Sequence, residues 1–448
     1  MNQSPSTCGH ALERRLLLLA TLIVGLALML LPAMAAHAAS FTVTTTADTA
    51  DVKPGDGKCA DSTDPMKAKC SLRAAIQESN KLGGDNVITL GKATSTLTKS
   101  LPPISSSVTI QGVSAGATVI RRPCIESTRN EVGECSSAPE FRIFDVAEKG
   151  ALTLIGLTVR NGQSGGGGGI FNQGSLTLIE STVMANHGHV GGGGIVNYGK
   201  LWLVDSTVRD NFGHNGSGGG LWNAGEVQIW GSTISGNKST YAGGIYNGSN
   251  GEHGGSLTIT NSTISGNQVT SKDGYAGGIL NDGIGDAWLW SVTITANTAP
   301  SAGGVWGHIK GSGNFYFANT IMAGNTVTGS VKVAPDCYGS VITLGGDLVG
   351  NPTNCLLTPW SSDQAGDKIG EDPNLGPLAD NGGPSCTHQL RDGSPAIDAA
   401  WPDQPGSGGF ACETFDQRRA TRVNRCDIGA YEAYVTAEPH QLGCRGGF

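Results

Sequence analysis

In the middle of the chain, apolar residues alternate with threonines and other polar residues in short runs that keep returning. In Ser256-Leu257-Thr258-Ile259-Thr260-Asn261-Ser262-Thr263-Ile264-Ser265-Gly266-Asn267, Leu257 and Ile259 alternate with Thr258 and Thr260. A period of two predicts a strand with one face inward. Ser262 and Ile264 then point one way and Thr263 the other, which predicts a second strand after a bend near Asn261. Gly266-Asn267 predicts a turn, since both residue types tolerate left-handed backbone angles. Gly278-Ile279-Leu280-Asn281 predicts a third strand.

The unit repeats. Asn161, Asn186, Asn211, Asn237, Asn267, Asn297 and Asn325 close successive copies, at spacings of 25, 25, 26, 30, 30 and 28 residues. A period in that range marks a solenoid whose repeats stack on one another. Stacking aligns inward columns: Leu152, Leu176, Leu201, Val227 and Leu257; Leu154, Leu178, Leu203, Ile229 and Ile259; Ile170, Ile195, Leu221, Ile245, Ile279 and Val305. Burying one such residue contributes roughly 1.5–3 kcal/mol before chain entropy is subtracted. Asn172, Asn197, Asn223, Asn247 and Asn281 form a further column whose amides can hydrogen-bond along the axis. The expected fold is all-β: a parallel β-helix with three short strands per coil, right-handed by the general rule for parallel crossovers.

The ends are less regular. Open strand edges invite aggregation, and Ser71-Leu72-Arg73-Ala74-Ala75-Ile76-Gln77-Glu78-Ser79-Asn80 predicts a capping helix. Ser71 serves as its N-cap, Leu72, Ala75 and Ile76 share a face, and Asn80 is the expected stop. Val87–Leu90 and Ser107–Ile110 read as irregular first coils. The segment 1–38 reads as an export signal: Arg14 and Arg15, an apolar run Leu16–Leu31, then Ala36-His37-Ala38 as the cleavage triplet. That run holds 16 residues, short of the ~20 that span a bilayer.

Composition narrows the function classes. Only 15% of residues are charged, against 69 glycines. Losing the signal removes two arginines and one glutamate and moves the formal net charge from −8 to −9. An acidic chain with no basic run is a poor partner for nucleic acid or anionic lipid, and no transmembrane segment is expected in the mature chain. Cys8 leaves with the signal, so an even number of cysteines remains, which in an exported chain predicts disulfides. Nearest-neighbour pairing gives Cys59–Cys70, Cys124–Cys135, Cys337–Cys355 and Cys412–Cys426, with Cys386 and Cys444 left over. Sequence alone leaves the connectivity open. No Cys/His cluster points to a metal centre.

Cys70-Ser71-Leu72-Arg73-Ala74-Ala75-Ile76 resembles the CSLREA motif near the start of many exported bacterial right-handed parallel β-helix proteins, with Ala74 in the glutamate's place. Asp372–Leu378, Asn381-Gly382-Gly383-Pro384, Thr387-His388, Gly393–Asp398 and Asp427–Glu432 resemble the choice-of-anchor Q domain. The resemblance implies a secreted or surface-displayed rod with an irregular, disulfide-bonded C-terminal domain. It implies no reaction. The expected organisation is 1–38 signal, 39–84 cap, 85–335 β-helix, 336–436 C-terminal domain and 437–448 tail.

Chemistry is sparse. Glu180 and Asp205 occupy the same place in adjacent coils, one strand spacing apart, with Arg209 and Arg160 in a nearby column. Stacked carboxylates can raise a pKa or bind a cation such as Ca²⁺, and paired carboxylates serve glycoside hydrolysis. The column continues with Gly231, Asn261 and Ser291, so the pair is isolated, and a solvated bend with its charge balanced by arginine is the preferred reading. His187-Gly188-His189 and Gly307-His308-Ile309-Lys310 are similar to fragments of β-helical pectin hydrolases, without the accompanying aspartate motifs. Asp398, Asp416, Arg418, Arg422 and Asp427 read as ion pairs within the C-terminal domain.

The outward positions beside the buried isoleucines read Phe171, Val196, Trp222, Tyr246, Leu280 and Trp306. A second outward column reads Thr153, Thr177, Trp202, Gln228, Thr258 and Trp288. An apolar strip of this kind marks a contact surface, unless a C-terminal segment covers it. Two functions follow. One is a structural or adhesive surface protein that binds a glycan or another surface protein along the strip. The other is a polysaccharide lyase or hydrolase built on Glu180, Asp205 and Arg209.

Overall fold

Each coil is a cycle of short strands separated by residues that tolerate a sharp bend. A computed structural model describes residues 38–124, 135, 138–249, 254–307, 313–329, 335–361 and 366–437. The expected signal and tail therefore lie outside the described residues, apart from Ala38 and Ala437. One complete coil runs Ile195–Asn197, Lys200–Val204, Thr207–Arg209 and Phe212–Gly213. Three of these are the expected strands. The fourth, only two residues long, follows the asparagine turn and builds a 7-stranded ladder of its own.

All ladders along the rod are parallel and in the expected register. Leu201 pairs with Leu176 on one side and Val227 on the other, and Ile195 lies between Ile170 and Leu221. The inward columns are 0–1% exposed throughout. Val159, Val183, Val208, Ile234, Ile264 and Ile294 supply the core from the third strand of each coil.

Two ladders of buried amides run through the rod. Each Nδ2 of Asn172, Asn197, Asn223 and Asn247 donates to the next Oδ1, at 2.6–2.9 Å. The second ladder, Asn186–Asn211–Asn237–Asn267–Asn297–Asn325, is the one read from sequence as turn residues. Here Nδ2 of each asparagine donates to the next Oδ1, which also accepts the preceding backbone N–H. The left-handed angle belongs to the residue before the asparagine: Ala185, Asp210, Gly236, Gly266, Ala296 and Gly324 have φ between 53° and 71°. Asn161, at φ 65°, sits in that bend position and not in the ladder. Glycine columns let the coils close on these amides. A Cβ on Gly244 would lie 2.6 Å from the Gly278 carbonyl oxygen and 3.1 Å from Asn267.

The N-terminal cap is the helix Leu72–Leu82, with the Ser71 side chain accepting from the Ala74 N–H. It ends at Gly83 and not at Asn80, whose side chain instead holds Pro103 and Ser105. Arg73 makes a two-pronged ion pair with Asp48 (2.8 and 2.9 Å) and donates to the carbonyls of Lys99 and Ser100. Glu78, fully buried, accepts the N–H groups of Gly55 and Gly57. The motif residues thus tie the preceding loops over the first coil.

The rod runs past the expected boundary at 335. Cys337–Thr343, Leu348–Val349, Cys355–Pro359 and Lys368–Ile369 continue the ladders. The glycine–asparagine repeat stops at Asn325, but Cys337 and Val341 still supply fully buried side chains. All four neighbour disulfides form. Cys386 is also disulfide-bonded, while its expected partner Cys444 lies outside the described residues.

Candidate functional site

The C-terminal region is held along the flank of the rod, on the strands of the Thr-Ile-Ser repeats. Its one hairpin, Leu375–Ala379 with Thr387–Leu390, presents His388, whose Nε2 lies 2.8 Å from the Ser265 hydroxyl. Burial holds that imidazole below its usual pKa, although its bond to Gly376 opposes the shift. Gln417 is the centre of the contact. Its Nε2 group donates to the Thr233 hydroxyl (2.9 Å) and the Ser385 hydroxyl (2.9 Å), and its Oε1 accepts from Thr263 (2.6 Å). Gly429 has φ 96°, and a Cβ there would meet Ile321 and the Thr293 hydroxyl, both at 2.8 Å. Only glycine lets the loop approach so closely.

The bend column beside this flank carries the two stacked carboxylates. Glu180 and Asp205 both have positive φ, 48° and 50°, in line with Gly156, Gly231, Asn261, Ser291 and Asn319. The structure does bring them together, and it adds Arg419, which the sequence analysis did not single out. Arg419 Nη2 lies 3.0 Å from Glu180 Oε1 and also bonds Asp205, whose Oδ2 is 3.1 Å from Nε. Burial pushes the Asp205 carboxyl up to about 6; Arg419 opposes this and Glu180 adds to it. Arg419 is itself held above its usual value, because Asp205 and Glu180 outweigh the desolvation that would lower it. A guanidinium therefore bridges the two carboxylates. Arg209 pairs with Asp210 at 2.6 Å.

Further down the same column, Asn261 donates to the Phe415 carbonyl and accepts from Arg422. Asn319 donates to the Phe410 carbonyl and accepts from the Trp401 N–H. Within the C-terminal region Arg418 pairs with Asp416 and covers the Tyr431 ring, and Arg422 pairs with Glu432. Asp427, pushed up to about 6 by burial and then by Glu432, accepts from the Asp398 and Ala433 N–H groups. The expected ion pairs serve internal closure and docking.

His187 is 1% exposed and stacks on Phe212 at 5.4 Å, while His189 meets Glu140 at 3.0 Å. His308 to Lys310 lie outside the described residues. Among the described residues, no group of three or more His, Cys, Asp and Glu is placed to hold a metal ion.

The aromatic flank lies on the strands before the long five-residue ladder. It differs from its sequence outline in two ways. Val196 and Leu280 are buried, at 5% and 2% exposure. The glycine loop around Gly192 folds over Val196, and Leu280 packs with Ala242 and Ala276 between Tyr246 and Trp306. The strip also gains tyrosines. Tyr198, 41% exposed, sits between Phe171 (5.6 Å, tilted 56°) and Trp222 (5.0 Å, tilted 52°), and Trp222 continues to Tyr246 at 5.9 Å. Tyr275 and Tyr338 flank Trp306 at 4.9 and 5.7 Å. The second column behaves differently. Trp202 is half-buried between Thr177 and Gln228, and Trp288 stacks on Tyr316 at 3.9 Å and 7°. Rings that lie flat on each other have used those faces. In the run Phe171–Tyr198–Trp222 the rings are tilted to one another, and Arg142 lies over the Phe171 ring at 4.4 Å.

Rod, capping helix and flank together define a parallel β-helix protein. No known protein family matches the chain, and no curated protein does. Among solved structures it is similar to the crystal structure of pectate lyase Pel9A, at 14% identity over 87% of this chain and 97% of that one, with a TM-score of 0.45. That likeness carries no residue-level chemistry to this chain. No helix among the described residues is long and apolar enough to cross a membrane.

Proposed function

We propose that this protein is an exported, non-catalytic β-helical rod that binds a glycan along the run Phe171–Tyr198–Trp222–Tyr246 and so works as an adhesive or structural surface protein. One observation carries the reading: partly exposed aromatic rings in mutual contact along a flank of a rigid scaffold, with Tyr198, the most exposed of them, tilted against both Phe171 and Trp222. Exposed apolar strips persist where they contact something, and aromatic side chains dominate such contacts. The disulfides fit an oxidising compartment, and the likeness to CSLREA and choice-of-anchor Q proteins supports export. A lyase or hydrolase centred on Glu180 and Asp205 is disfavoured because Arg419 already pairs with both carboxylates.

The test is a glycan-array screen of the full mature chain beside a Trp222→Ala/Tyr246→Ala double variant. Binding that drops at least tenfold in the variant, with an unchanged circular dichroism spectrum, supports the reading. Equal binding removes it. Incubation with acidic and neutral polysaccharides, with and without Ca²⁺, decides the enzymatic alternative: release of unsaturated or reducing ends would reverse the assignment.

A further inference from the structure

The chain carries five Asn-Gly pairs, at Asn161, Asn215, Asn247, Asn250 and Asn381. Such a pair is chemically labile, because glycine puts no Cβ between its own nitrogen and the preceding side-chain amide. The fold treats the pairs unequally. Asn161 is 2% exposed, and the Gly162 N–H donates to Asn186 Oδ1 at 2.9 Å. Asn247 is fully buried in the amide ladder, and the Gly248 N–H donates to the Asn223 carbonyl at 2.8 Å. Asn381 Nδ2 donates to Thr387, and the Gly382 N–H donates to Asp380. Asn250 lies outside the described residues.

Asn215 is the contrast. It is exposed, at φ 48°, in the turn that follows Phe212–Gly213. Bonds between coils hold its neighbours. The His214 N–H donates to the Gly188 carbonyl (2.7 Å), the Tyr241 N–H to the Gly216 carbonyl (3.2 Å) and the Gly218 N–H to the Ala242 carbonyl (2.8 Å). Among the described residues, neither the Asn215 side-chain amide nor the Gly216 N–H makes a bond of this kind. The amide carbon and the nitrogen that can attack it thus belong to the unfastened part of a fastened loop. The same loop lies beside the aromatic run. A Cβ on Gly216 would overlap the backbone of Gly191, and a Cβ on Gly191 would lie 3.6 Å from Trp222 Cδ1.

We infer that Asn215 is a modification site, at which the folded chain converts asparagine to aspartate and isoaspartate, and that the change loosens the loop packed on Trp222. The Gly216 nitrogen bonds to Asn215 Cγ and gives up its proton, and Nδ2 leaves as ammonia. Water then opens the resulting succinimide. Breaking the new Cγ–N bond leaves aspartate. Breaking the original main-chain bond leaves isoaspartate, whose backbone runs through Cβ and is one carbon longer. Water is the co-reactant, and nothing is oxidised or reduced. Either product adds a carboxylate to the loop. Isoaspartate also displaces Gly216 from its close packing on Gly191, and Gly191 in turn from Trp222. The inference goes beyond the glycan-binding reading and does not depend on what the aromatic run binds.

Timed incubation of the folded mature chain at mildly alkaline pH, followed by peptide mapping with isoaspartate detection, tests the site. Asn215 should convert severalfold faster than Asn161, Asn247 and Asn381, and unfolding in urea should erase that difference. Conversion at Asn215 no faster than at the three bonded pairs, or a ranking that persists in urea, would overturn the modification site. Hydroxyl-radical oxidation of Trp222 reads the effect on the loop. It should rise severalfold in aged wild type and stay constant in aged Asn215→Gln, whose longer side chain closes a ring poorly. Oxidation that is equal in fresh and aged wild type, or that rises equally in Asn215→Gln, would overturn the link to Trp222. Both measurements are made without glycan, so either failure is separate from failure of the glycan-binding reading.

Discussion

Two flanks of the same rod have opposite fates. The Thr-Ile-Ser flank is lined with hydroxyls, which water would solvate readily, yet Thr233, Thr263 and Thr293 are 0–2% exposed beneath the C-terminal region. The aromatic flank, which water solvates poorly, stays half open at Tyr198 and Trp222. Covering follows chemistry more specific than hydrophobicity. Threonine hydroxyls stacked one per coil offer a row of donors and acceptors at fixed spacing, and Gln417, Cys386 and Ala430 meet them with defined partners. Burial on that flank favours matched polar groups, because each unmatched one costs about 1–3 kcal/mol.

The sharpest break in this picture would come from inside the rod, since both flanks hang on its register. Asn267→Ala removes the acceptor of both the Asn237 N–H and its Nδ2. Two buried donors are then unmatched, and urea unfolding should show a loss of roughly 2–5 kcal/mol. A loss below 1 kcal/mol would mean that the amide ladder is incidental to the stack.

Next in size is the hydroxyl flank itself. Gln417→Leu strips the buried amide from Thr233, Thr263 and Ser385. The expected effect is about 2–4 kcal/mol on docking of the C-terminal region, read as faster hydrogen exchange between 375 and 432 with the coils unaffected. If exchange is unchanged, polar matching is not what holds that flank.

The same contact should weaken as pH rises. The carboxyls of Asp205 and Asp427 lie at about 6 in the folded chain, against an ordinary 3.8. Between those values the folded state holds protons that the unfolded state has released. Stability therefore falls with rising pH across that window and is fully present only below it. Asp336 and Asp347, also raised by burial, act in the same direction, while His388, held below its usual value by burial, opposes them. The melting temperature should be higher at pH 5 than at pH 7.5, and Asp205→Asn should flatten part of the slope. A melting temperature that rises with pH would contradict this. The smallest effect belongs to Arg209→Ala: the Arg209–Asp210 pair is near the surface, and such pairs contribute about 0–1 kcal/mol.

What the sequence made legible follows from repetition. Contacts one period apart leave a periodic trace, so the Leu and Ile columns and the Asn172–Asn281 ladder were readable residue by residue. The Asn186–Asn325 ladder was visible as a pattern but given the wrong role, because a glycine beside an asparagine reads as a turn whichever residue carries the positive φ. Docking of the C-terminal region left no periodic trace, since Asp205 and Arg419 are 214 residues apart. One local signal did exist. The outward residue of the third strand is arginine at Arg121, Arg160 and Arg209, then changes to Ser235, Ser265 and Thr295. Long side chains give way to short hydroxyls where another segment lies on the rod.

Hydroxyl-radical footprinting of the mature chain, with and without a glycan selected on the array, addresses both flanks in one measurement. Tyr198 and Trp222 should be oxidised readily in the free protein and protected at least severalfold by the glycan, while the residues around Gln417 stay shielded in both states. Protection absent at Tyr198 and Trp222, or an unliganded protein in which those rings are already shielded, would contradict the account.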